Sequence, residues 1–293
     1  MTATSPVRTL WSYTNAAPWR GLALARERGW ALAWDSRHTL HLFNRRGEPQ
    51  AQWPCPTELV GAAAADDGGA FAAAGADGRV WLLAPDLTVR WERRVGPRAA
   101  GVALEAFGRY LAACDAGGTL QLLDDRGRTA WKAANPRPLQ HLAFLSEQPR
   151  LVGSADYGLV ACYDSAGRCV WRDGLVAHVG SLAVRGDGSL VVLACFSDGL
   201  CCYRNGDPRT RRFLPHTGPA HRAAMSYDGK TILTTDREST LAWHDAEGPL
   251  RRRVPADGKP VALALAPLGD CAVVAFADGR LSALAPDTGS RET

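Results

Sequence analysis

The stretch GVALEAFGRYLAACDAGGTLQLLDDRGRTAWK, residues 101–132, decides the fold. Its runs GVALEA, YLAACD, TLQLLD and RTAWK are parted by Phe107-Gly108-Arg109, Ala116-Gly117-Gly118 and Asp125-Arg126-Gly127. Apolar runs of about five residues between tight turns predict four antiparallel strands. Apolar residues fill nearly every strand position rather than alternate ones, so both faces of this small sheet need a cover.

The cover is supplied by repetition. Ala103 belongs to the series Ala23, Ala63, Ala103, Ala143, Ala183, Ala224 and Ala264, a step of 40 residues that slips once to 41. Leu40, Val80, Leu120, Val160, Leu200, Leu241 and Leu281 keep the same step, as do Ala31, Phe71, Leu111, Leu151, Val191, Ile232 and Ala272. A period in this range marks units that bury their faces only by stacking on one another. The chain is therefore expected to be all-β, a seven-bladed β-propeller of four-stranded antiparallel blades, and a single domain over residues 1–293 with blades recurring from about residue 18. The recurrent alanine lies in the first strand of each unit, nearest the axis, where the blades converge and only a small side chain fits.

Turn chemistry agrees with this division. Gly68, Gly108, Gly188, Gly229 and Gly269 fall between first and second strands, with lapses at Arg28 and Gln148, and Gly47, Gly127, Gly167 and Gly248 follow the third strand. Glycine at such places supplies the positive φ of short hairpins. Asp124, Asp164 and Asp245 stand three residues before these last glycines, where a carboxylate accepts turn hydrogen bonds. The fourth strand carries Trp91, Trp131 and Trp171, and two steps back from Trp91 lies Trp11, within a segment, residues 7–14, that belongs to no complete unit. The seventh unit stops where its fourth strand is due. Residues 7–14 are thus expected to complete the seventh blade and close the ring.

Composition adds limits. At 293 residues the chain can bury about 75% of its unfolded surface without metal or disulfide support. The net charge of +4 neither demands nor excludes an acidic partner. No run approaches the ~20 apolar residues of a membrane span, and the first residues lack the apolar run of a secretory signal, so a cytoplasmic protein without membrane contact is expected. Cys114, Cys162, Cys195, Cys202 and Cys271 are expected as small core residues of apolar strands, and no cysteine spacing resembles a zinc site.

Tyr227-Asp228-Gly229-Lys230 and Val184-Arg185-Gly186-Asp187-Gly188 resemble the first hairpin of WD40 repeats, in a chain similar to them in period and strand order throughout. Where that family ends its third strand with Trp-Asp, this chain has Phe43-Asn44, Leu123-Asp124, Tyr163-Asp164 and His244-Asp245, and its literal pair Trp34-Asp35 lies on a second strand. A second resemblance is to quinoprotein-like propeller repeats. Asp124 to Trp131 and Asp164 to Trp171 both read D-x-x-G-x-x-x-W, and Leu281 to Gly289 reads LSALAPDTG. Cys201-Cys202 resembles the vicinal cysteines of quinoprotein dehydrogenases, but no acidic metal site accompanies it, so no quinone, calcium or other cofactor is expected.

Two surfaces stand out as candidate sites. Where other blades have tryptophan, the fifth has Arg209-Thr210-Arg211-Arg212 and the sixth has Arg251-Arg252-Arg253, six arginines on neighbouring outer strands. They suit either a docking edge for an acidic protein or a phosphate backbone, or protection of exposed edges against sheet-to-sheet aggregation. The other surface is the rim where first strands begin, with Trp19, Arg20, His141, His178 and His221, joined by Arg37, Tyr157 and Arg237 from loops between second and third strands. The histidines lack the spacing and companion carboxylates of a metal site and are expected as solvated loop residues. Asp66-Asp67 beside Gly68-Gly69 is expected to be a plain turn. No G-x-S-x-G, H-E-x-x-H or phosphate loop occurs. The expectation is a non-catalytic scaffold that binds another protein, with an acidic one among the candidates, as a monomer or within a hetero-complex. The alternatives are an enzyme or small-ligand binder using the axial channel, and nucleic-acid binding through the arginine edge.

Overall fold

Among the described residues, twenty-eight strands form seven sheets of four, each antiparallel. The computed structural model describes residues 7–174, 177–214, 219–246 and 250–286; Gly248 and the end of the LSALAPDTG stretch lie outside them. Blade one runs from Trp19 to Pro54, blade two from Leu59 to Arg94, blade three from Ala99 to Ala134 and blade four from His141 to Asp173. Blades five and six run from Val179 to Leu214 and from Arg222 to Pro255. Blade seven joins three strands between Pro260 and Pro286 to Val7–Thr14, which pairs antiparallel with Arg280–Pro286 and sets Trp11 opposite Ala283. The expected N-terminal closing strand is therefore present. No helix among the described residues is long and apolar enough to cross a membrane.

The core is divided into seven apolar clusters, one at each interface between adjacent blades. Strand geometry explains the uninterrupted apolar runs, because successive side chains point to opposite faces. Along Tyr110–Asp115, Leu111 and Ala113 pack toward blade two while Ala112 and Cys114 pack toward blade four. The adjacent thiols of Cys201 and Cys202 are separated in the same way, one packing toward blade four and the other toward blade six. Burial pushes the Cys201 thiol up to about 11 and that of Cys202 up to about 12, which disfavours thiolate chemistry at both. Cys271 differs slightly from expectation. It is half-buried and precedes the strand Ala272–Phe276 by one residue.

The outer tryptophans explain the D-x-x-G-x-x-x-W pattern. Asp124 Oδ1 accepts from the N–H groups of Arg126 and Arg128, which leaves Gly127 at φ +73°, and the bare face of Gly127 receives Trp91 of the preceding blade. A Cβ on Gly167 would stand 2.7 Å from the Trp131 ring. Trp11 covers Gly47 and Trp171 covers Gly206 in the same manner, so each tryptophan packs on the third hairpin of the next blade. Blade one has Ala51 at this register, and there the facing turn of blade two carries buried Leu87 instead of glycine. Arg212 and Arg252 occupy the register in blades five and six.

Candidate functional site

The loops that enter each blade and the loops between its second and third strands share one end of the ring and are bonded to one another. Val95 N–H donates to Gly78 O at 2.9 Å and Ala116 N–H to Arg98 O at 2.9 Å, with counterparts such as Phe196 N–H to His178 O at 2.9 Å. They form one continuous rim. Arg20, Arg37, His178 and Arg237 are exposed on it. Tyr157 bridges to His178, with ring centroids 4.9 Å apart, and His221 meets Phe196 edge-on at 4.8 Å while the Nε–H of Arg237 donates to its Nε2 at 3.3 Å. The three histidines are each engaged separately, and no group of three or more metal-ligating side chains is poised for an ion among the described residues.

Trp19 corrects the expectation of a rim residue. It is 1% exposed and packs edge-on against His41 and Phe43, because the first residue of the inner strand turns its side chain into the interface between blades seven and one. The buried Asp35 carboxylate at the same place takes the N–H groups of Arg37 and Thr39 and lies 3.0 Å from His41 Nε2.

Inside the rim, the inner strands enclose the axial channel. All seven recurrent alanines line it, as their small size and inner position predict. At the rim end the channel opens into a cavity of about 520 Å³. Gly21, Gly61 and Gly101 stand at one repeat position on its wall, and at the same position blades four, five and six carry His141, Ser181 and Arg222. A side chain at Gly101 would strike the Leu139 carbonyl, with Cβ 2.4 Å from that oxygen, and one at Gly21 would strike the Trp34 ring. Arg222 bonds to three backbone carbonyls, and Ser181 Oγ accepts from Ala223 N–H at 2.7 Å.

His141 lies 3.3 Å from Val179 O through Nε2, and burial, more than the nearby Arg222 charge, pulls its imidazole down to about 4 from an ordinary 6.5, although Val179 O and Asp156 oppose the shift. Below pH 6.5 the unfolded chain takes up a proton that the folded chain refuses until about pH 4, so this contribution is complete above pH 6.5 and is lost as pH falls through that window. Wild type is expected to lose roughly 2–3 kcal/mol more than His141→Asn between pH 7 and pH 4 in urea unfolding. Parallel losses in the two proteins would mean that His141 is hydrated.

The far end of the channel carries a different cluster. Arg26 clamps Asp66 through Nε at 3.0 Å and Nη2 at 3.3 Å, Tyr227 donates its hydroxyl to the same carboxylate, and the Arg26 guanidinium lies 4.0 Å over the Tyr227 ring. Asp66 is therefore more than a turn residue. Only Asp67 caps the hairpin, accepting from Gly69 N–H at 2.7 Å. Arg26, Asp66 and Tyr227 hold one repeat position in blades one, two and six, so the cluster braces the ring across its exit.

The outer-strand arginines are divided between two neighbourhoods. Arg211 reaches back to Asp173 of blade four at 2.8 Å, and Tyr203 bonds to that carboxylate as well. Arg251 pairs with Asp245, and Arg253 with Asp236 at 2.9 Å, both within blade six. Arg209 and Arg212 are exposed, whereas Arg252 is half-buried.

With this architecture in view, comparison with known families is decisive for ancestry. Residues 116–292 match the family described as outer membrane protein assembly factor BamB. The chain belongs to that family. The matched span of this BamB-family propeller contains both D-x-x-G-x-x-x-W turns, which accords with the quinoprotein-like side of the sequence resemblance. A comparison with curated proteins found no match.

Arg222, Gln140 and Ser181 at one channel mouth and Arg26 at the other were not singled out in the sequence as site residues, Tyr227 was read there only as part of a hairpin, and Asp66 only as a turn residue. A signal existed for both groups. Aligning the seven units places Ser181 and Arg222 in a column that is glycine or alanine in blades one, two, three and seven, and Arg26, Asp66 and Tyr227 in a column that is alanine, serine, glycine or proline in the others.

Proposed function

We propose that this propeller is a non-catalytic scaffold that holds an acidic protein surface against its rim. The observation that carries the reading is the rim itself. Its loops are tied together by recurring backbone bonds, and Arg37, His178 and Arg237 stand exposed on it with no carboxylate paired to them among the described residues. Arginines held on a pre-ordered rim lose little conformational freedom on docking and suit a negatively charged partner. The family description, an assembly factor, supports a role in holding other proteins. Eight free cysteines support residence in a reducing compartment, the cytoplasm.

Affinity capture from native lysate tests the proposal with three proteins: wild type, an Arg37→Gln/His178→Ala/Arg237→Gln rim variant and an Arg209→Gln/Arg212→Gln edge variant. One protein partner is expected with wild type and the edge variant, with recovery reduced about tenfold or more by the rim changes and by high salt. Undiminished recovery by the rim variant, or no protein partner at all, refutes this use of the rim.

A further inference from the structure

Among the described residues, the cation at the rim-end channel mouth has no counter-ion. Arg222 donates from Nε to Val261 O at 3.1 Å and from Nη1 to Gly180 O at 2.8 Å and to His221 O at 3.0 Å. These carbonyls belong to blades five, six and seven, and they fix the plane of the guanidinium. Its Nη2 has no bond among the described residues and is not sealed from solvent. Carbonyl dipoles orient the group without cancelling its charge, and burial holds Arg222 below the ordinary guanidinium value. Placing an unpaired cation in a partly desolvated site is costly unless an anion comes to meet it.

The surrounding wall has matching chemistry. Arg20 lines the same 520 Å³ cavity, and among the described residues no aspartate or glutamate does. Among neighbouring carboxylates, Asp236 is paired with Arg253, and Asp156 sits exposed on the adjacent loop. Gln140 Oε1 accepts from Asp156 N–H at 2.9 Å, which leaves the amide N–H₂ as the donor end of that side chain. Deeper in, the wall becomes apolar through Leu22, Val102, Leu142, Leu182 and Leu263. A cavity of this size, with a polar mouth and an apolar throat, has room for a small molecule.

We propose that this mouth binds a small carboxylate carried on an apolar body, with the carboxylate on Arg222 Nη2 beside Arg20 and the apolar part in the leucine-lined throat. The N–H groups left on Arg222 Nη2 can donate to a carboxylate oxygen, a charge-assisted bond stronger than one to a neutral acceptor. A bare inorganic anion satisfies the arginines and leaves the throat unfilled. An apolar alcohol fills the throat and leaves Arg222 unpaired. The site is independent of partner docking at the rim, since Arg37, His178 and Arg237 take no part in it.

Calorimetric titration of the full chain with octanoate, octanol and inorganic phosphate tests the proposal. Octanoate is expected to bind one per chain, at least tenfold tighter than octanol or phosphate, with affinity reduced at least tenfold by Arg222→Gln and about threefold by Arg20→Gln. Arg20 is exposed and makes no hydrogen bond or ion pair among the described residues, so its variant decides the matter if Arg222→Gln fails to fold. Absence of octanoate binding, equal binding of octanol or phosphate, or unchanged affinity in Arg20→Gln overturns the site.

Discussion

Removing residues 7–14 is expected to unfold the ring or lower its melting temperature by roughly 10 °C or more. The strand Val7–Thr14 pairs along its length with Arg280–Pro286, so its loss leaves an edge of blade seven unpaired. It also removes Trp11 from the face of Gly47 and Tyr13 from Phe43, whose ring lies 4.8 Å away. Each aromatic contributes up to about 1.5–3 kcal/mol of apolar burial, and the lost ladder and ring closure bring the total to the order of 5 kcal/mol. Native proteins have only about 5–15 kcal/mol in all. A melting curve followed by circular dichroism decides the matter, and one that coincides with wild type would mean that the ring closes without this strand.

Trp19→Ala is expected to cost about 3–5 kcal/mol, a large aromatic-to-alanine loss in a packed interior. Trp19 is 1% exposed and fills the interface between blades seven and one, where His41, Phe43, Ala262 and Val273 surround it. The cavity left behind adjoins the blade that the chain ends close together, so relaxation there weakens closure as well. Chemical denaturation of wild type and variant reads the loss directly. Partner recovery per folded molecule should remain unchanged, because the side chain never reaches the rim surface. A variant as stable as wild type that has lost its partner would restore Trp19 to the docking surface.

Much of the fold was legible because the information that specifies a blade is local. Asp124 and Gly127 form their turn within four residues, and the strand on either side needs only its own apolar run. Fourth-strand tryptophans were legible as a series, and so were their replacements at Arg212 and Arg252. Their packing on Gly127, Gly167 and Gly206 of the next blade was not, because sequence spacing says nothing about which turn lies beneath a ring. Trp19 was misplaced for a related reason. Its position at the start of a strand is visible in sequence, but the direction of its side chain is set by the neighbouring blade.

The sites divide along the same line. Sequence alone determined the number of blades, the inner position of the seven alanines, the closing strand and the loops that share the rim, since all of these follow from one repeating register. Only the tertiary structure decided which charges meet. Tyr227 and Asp66 are separated by 161 residues, and Arg222 draws its carbonyl partners from three blades. A repeat sets each residue's height and radius in the ring, but a contact across the axis exists only after all seven blades have closed. Strand pattern and turn chemistry act within a blade, whereas the pairing of charges depends on distances through a channel that no single blade contains.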